Sequence, residues 1–224
     1  MHHPDRTAFG LYEMLRILVP GFYFTTLLLF FALSFLPAAL SPDHLGAWSG
    51  VAFAFVTVVS GLTMYAKETP KRRRAFQQNQ PSAFLQTIAR TTPDSEPLSD
   101  GEAQRVYFYI LNNHVPTASH EKIFFFGTVY HIMIQLRRAT FWFALLALVG
   151  IILMLAEGFP MSERPDVVLF TIVTWAVYLL NVRYNKADRK MQENYQDQIF
   201  WLQMNSDLVR SVLTQQRSTR MNQA

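Results

Sequence analysis

The chain has 224 residues, half of them hydrophobic, with 20 Lys and Arg against 16 Asp and Glu and no cysteine. Without cysteine there is no disulfide, no thiolate metal site and no cysteine nucleophile. The net charge of +4 is expected to serve anionic lipid headgroups, and nucleic acid is not an expected partner.

Four apolar stretches, approximately Ile17–Leu40, Ala47–Ala66, Ala139–Ala156 and Val167–Val182, contain no Asp, Glu, Lys, Arg or His. Each is long enough, or nearly so, to cross hydrocarbon. The expected fold class is therefore an all-α integral membrane protein with four transmembrane helices, the third and fourth extending into a helical cytosolic stalk or domain. Nineteen of the 20 basic residues lie before the first span, between the second and third, or after the fourth; the loops 41–46 and 157–166 hold only Arg164. The positive-inside rule then places both termini and the long middle segment in the cytoplasm of a bacterial-type inner membrane.

Residues 1–66 are expected to form an interfacial helix and the first two spans, with a break at Pro20-Gly21. Gly46, Gly50 and Ala54 recur at four-residue spacing, a surface that lets another helix approach closely in lipid. Trp48, Tyr65 and Trp142 fit aromatic belts at headgroup depth.

The segment 67–138 reads as cytosolic and helical. It opens on Lys71, Arg72, Arg73 and Arg74, which with Arg137, Arg138, Arg183 and Lys186 are expected to meet lipid headgroups and fix topology. Pro81 suits the first turn of a short helix. Ser99 with Glu102 three residues on is a capping-box pattern for a helix through about Leu111, which Asn112–Pro116 then breaks. From residue 118 to 156 no strong breaker intervenes, so a single helix of roughly 58 Å is expected, longer than an apolar core of about 30 Å. Phe124, Phe125 and Phe126 are too apolar for water and are assigned to a partner or oligomer interface.

Residues 139–182 carry the third and fourth spans, and 183–224 a C-terminal cytosolic helix and tail. The fourth span can continue as a helix through Met191, Tyr195, Ile199, Leu202 and Leu208. Tyr195, Ile199, Trp201 and Leu202 join the expected interface.

Candidate chemistry is sparse. His120 and His131 share a helix face but stand roughly 16 Å apart along it, too far to hold one ion. His131 is retained as a possible proton-responsive contact. There is no phosphate loop, H-E-x-x-H, G-x-S-x-G or dinucleotide fingerprint, so neither enzymatic activity nor a cofactor is expected. Spans without ionisable residues argue against a proton-coupled transporter. The expected function is a non-enzymatic inner-membrane sensor, effector or partner-docking subunit that oligomerises and presents its helical domain to a cytosolic protein partner. The alternative is a homo-oligomeric pore gated through the stalk.

Overall fold

The computed structural model describes residues 6–36, 46, 49–76, 80–92, 97–184 and 186–221, with the side chains of 6–9, 68–76 and 216–221 outside that description. All regular structure among the described residues is helical: α1 (Arg6–Phe35), α2 (Ser49–Phe76), α3 (Pro81–Thr91), α4 (Asp100–Asn113), α5 (Thr117–Ala156), α6 (Pro165–Tyr184), α7 (Ala187–Met204) and α8 (Ser206–Met221), with one 3-10 turn at Met161–Glu163. Among the described residues, four stretches are long and apolar enough to cross a membrane: Gly10–Phe35, Ser49–Lys67, Thr117–Ala156 and Pro165–Met204. By length and composition, these helices suggest a multi-pass membrane protein. It divides into two compact units, a span unit of Asp5–Thr69 and Thr128–Ala187 and a core unit that includes Pro70–Gly127 and Asp188–Ala224.

In the span unit, α1 and α2 meet backbone to backbone. A Cβ on Gly21 would collide with the Thr57 carbonyl oxygen and lie 3.1 Å from the Gly61 Cα, and one on Gly61 would collide with the Ile17 carbonyl. Glycine at both positions permits that approach, which in lipid replaces hydrophobic drive with van der Waals contact. The break expected at Pro20-Gly21 does not occur, and α1 runs through Pro20 without interruption. Proline removes one ladder donor, but membrane helices tolerate it where neighbours and hydroxyls serve the backbone. The acceptor that Pro20 leaves without its ladder partner is the Arg16 carbonyl, four residues back; next to the proline, the Gly21 carbonyl accepts from Thr25 Oγ1 at 2.9 Å and from Ser60 Oγ of α2 at 3.5 Å, which ties α1 to α2 at this point. Farther along α1, Phe24 and Phe31 pack on Phe143 of α5, and Phe31 and Phe35 on Phe170 of α6, at centroid separations of 5.3–6.4 Å.

The core unit is built on Leu85, Ala89, Val106, Ile110, Leu202, Val209, Val212 and Leu213, all buried, with Phe84, Ile88 and Trp201 packed against them. Helical spacing explains the set, since 85 and 89, 106 and 110, and 209, 212 and 213 each share one face. Pro81 begins α3, and the capping box forms, with the Ser99 backbone N–H donating to Glu102 Oε2 at 2.9 Å. Replacing Ser99 with alanine is expected to cost about 1 kcal/mol, measured as a lowered thermal midpoint of the purified protein.

As expected, α5 is one uninterrupted helix of 40 residues. The other long helix is not. Rather than running to Leu208, α6 ends at Tyr184, Lys186 is non-helical, α7 ends at Met204 and α8 restarts at Ser206. At the second interruption Asn205 Nδ2 donates to the Trp201 carbonyl at 2.8 Å, while the Asn205 carbonyl accepts from the Val209 N–H at 3.0 Å. The interruption is confined to Asn205, whose own N–H still donates to the Trp201 carbonyl at 3.1 Å.

Candidate functional site

Two polar groupings stand out, one in each unit. In the span unit, Glu13 and Arg16 lie three apart on α1 and pair at 2.7 Å, with side chains 26% and 13% exposed. The Tyr65 hydroxyl of α2 donates to the other Glu13 oxygen at 2.6 Å, and Arg16 Nε donates to Thr128 Oγ1 of α5 at 3.1 Å. Two turns along α5 from Thr128, Gln135 Nε2 donates to the Met64 carbonyl at 2.9 Å, and between them the buried His131 ring meets Tyr65 edge-on at 5.5 Å. Both Glu13 oxygens therefore hold donors and the guanidinium is paired. The arrangement fastens α1, α2 and α5 together and leaves the carboxylate poorly placed to take a proton from a substrate.

The core-unit grouping surrounds a cleft of about 100 Å³. Its wall is mostly apolar, from Ile110 and Leu111 of α4, Ile123 of α5, and Trp201 and Leu202 of α7. Into this wall α7 sets Asn194 and Gln198, which are 4% and 7% exposed. The Tyr107 hydroxyl donates to Gln198 Oε1 at 2.6 Å, which orients the amide. Burial, with a smaller contribution from Tyr195, pushes the Tyr107 phenol above its usual range, so it stays a neutral donor at physiological pH. Asn194 Nδ2 and Gln198 Nε2 have no hydrogen-bond partner. At the rim, Lys122 and Asp197 pair at 3.0 Å and both remain largely exposed.

No family model, curated protein or solved structure matches the chain.

The backbones of Lys71, Arg72, Arg73 and Arg74 continue α2 beyond its apolar part, and their side chains lie outside the described residues. Arg183 and Lys186 are exposed, while Arg137 and Arg138 are half-buried. Gly46 and Gly50 face open space and Ala54 is exposed, so within one chain the close helix crossing uses Gly21 and Gly61. Of the expected interface residues, Leu202 is in the core, Trp201 packs on it, Tyr195, Ile199, Phe124 and Phe126 are half-buried, and Phe125 is exposed. His131 joins the span-unit grouping. His120 instead approaches Asn112 Oδ1 at 3.1 Å, and no three metal-ligating side chains converge among the described residues.

Sequence reasoning passed over Asn194, Gln198, Glu13 and Arg16. The α7 amides carried a signal, because they share one helix face with Met191 and Leu202, at spacings of three and four. Polar residues on an apolar stripe mark either a satisfied network or a site.

Proposed function

We propose that the chain is a non-enzymatic, multi-pass sensor or effector subunit of a bacterial-type inner membrane, anchored by its spans and receiving its signal on the core unit. One contrast carries this reading. Glu13, Arg16, Tyr65, Thr128 and Gln135 of the span unit bond one another or the backbone and leave the Thr57 hydroxyl as an isolated buried orphan, whereas the core unit keeps two buried amide donors one helical turn apart beside a cleft. Span hydroxyls and amides follow the same pattern: Thr63, Thr140, Thr171, Thr174 and Asn181 each bond a carbonyl of their own helix at 2.7–2.9 Å. Groups engaged in this way support an anchor better than an ion path, which needs polar atoms turned to a lumen. Phe125, Phe200 and Met204, all more than half exposed on the core unit, support its docking to a second copy or a protein partner.

The absence of cysteine makes the orientation directly testable. Single variants Arg73→Cys, Arg189→Cys and Gly158→Cys are expected to react with an impermeant maleimide from the cytoplasmic face for the first two and from the opposite face for the third. In sealed liposomes the purified chain is expected to leave potassium and proton gradients intact. Residues 73 and 189 labelled from opposite faces, or sustained ion flux, would overturn the proposal.

A further inference from the structure

Asn194 and Gln198 occupy positions where α7 faces the interior, yet neither amide nitrogen has a partner. Leaving a buried donor unsatisfied is costly, whereas an apolar residue of similar size in its place is close to neutral. Two such donors one helical turn apart, beside the same cleft, therefore point to an acceptor supplied from outside the chain. Tyr107 holds the oxygen end of Gln198, which commits its nitrogen to the donor role.

The surroundings narrow what can bring that acceptor. A carbonyl oxygen has two lone pairs, matching two donors. Apolar lining from Ile110, Leu202 and Trp201 fits a short hydrocarbon body. The rim carries one cation and one anion already paired, Lys122 and Asp197, so it offers no net charge. A carboxylate entering the cleft would meet Asp197, and an ammonium would meet the amide donors. A space of about 100 Å³ is smaller than the roughly 150 Å³ cavity that admits six-atom benzene, so it encloses on the order of four non-hydrogen atoms, the carbonyl head and first carbons of a ligand whose chain end reaches the open rim.

We propose that the cleft formed by α4, α5 and α7 binds a small neutral carbonyl compound, an amide, ester or lactone with a short alkyl chain. Its oxygen accepts from Asn194 Nδ2 and Gln198 Nε2, and its chain packs on Trp201. This site stands whether or not the span unit conducts ions, and its test reads binding alone.

The probe is pentanamide, compared with pentanoate and pentylammonium. Full-length protein in detergent carries Trp48→Phe, Trp142→Phe and Trp175→Phe, leaving Trp201 as the sole indole. Pentanamide is expected to give a saturable change in Trp201 fluorescence, with both charged probes at least about tenfold weaker. Asn194→Leu and Gln198→Leu are each expected to weaken pentanamide about tenfold, the value of roughly one hydrogen bond, with an unchanged or raised thermal midpoint. Should a leucine variant fail to fold, the isosteric Asn194→Asp replaces the donor with an acceptor and is expected to reverse the preference toward pentylammonium. Absence of saturation, equal or tighter binding of pentanoate, unchanged affinity in the leucine variants, or unreversed preference in Asn194→Asp overturns the assignment.

Discussion

Gly61→Leu is expected to separate α1 from α2 and to be among the most damaging single substitutions in the span unit. The obstacle is main chain: a Cβ at position 61 collides with the Ile17 carbonyl oxygen and lies 3.0 Å from the carbonyl carbon. A crowded side chain can change rotamer, but a helix backbone can only move away as a body. Overpacking costs about 1–3 kcal/mol where neighbours can adjust, and this crossing sits above the top of that range. Moving α1 would also pull Gly21 from the Thr57 carbonyl and remove the Ser60 hydroxyl from the Gly21 carbonyl. Gly50→Leu is the matched control, because nothing lies within 4 Å of a Cβ there. Unfolding in mixed detergent micelles is expected to shift strongly for Gly61→Leu and little for Gly50→Leu. Equal shifts would mean that the crossing does not hold the unit together.

That contrast also separates what could be read in the sequence from what could not. Signals whose two halves lie within a few residues emerged as expected: proline at the start of α3, the Ser99 and Glu102 cap, the stop after Asn113 and the unbroken α5. Each is settled by local backbone chemistry. Pro20 is different, because whether a proline interrupts a membrane helix depends on the packing around it, and the α2 residues that α1 meets there, Thr57 and Gly61, lie far along the chain. Small residues at four-residue spacing identify a surface that allows close approach, but not which of two such surfaces a neighbour uses. Gly46, Gly50 and Ala54 have that spacing, yet the crossing within the chain is at Gly21 and Gly61. Arg164 shows the same limit. As the lone cation of its loop it counted for topology, whereas in the fold it donates to the Ser34 carbonyl in the last turn of α1 and to Asp166, satisfying a helix-end acceptor. On α7, Tyr195 and Ile199 were the apolar choices for a stripe, but Asn194 and Gln198 are the more deeply buried. Hydropathy ranks side chains by transfer cost and misses polar groups that the fold nevertheless buries.

Arg16→Gln is expected to destabilise the span unit by about 2–3 kcal/mol, and the loss should be partly recovered when Glu13→Gln is added. Removing one member of a buried ion pair typically costs about 3–5 kcal/mol, because the remaining charge is left in a poor solvent. The Glu13 side chain keeps 26% exposure, so water offsets part of that penalty and the lower figure is expected. Arg16 also holds Thr128 of α5, and its loss loosens a second helix as well as the ion pair. With both residues as glutamine the stranded charge is gone, and the two amides can still serve the Tyr65 and Thr128 hydroxyls. The double variant is therefore expected to be more stable than Arg16→Gln alone, with a coupling of about 1 kcal/mol or more in a double-mutant cycle. Effects that add to within about 0.5 kcal/mol would show that Glu13 and Arg16 act separately. Glu13 meets both Arg16 on its own helix and Tyr65 on α2. A measured coupling would thus mean that Glu13 and Arg16 act as one unit, which the Tyr65 hydroxyl joins to α2 through its bond to Glu13.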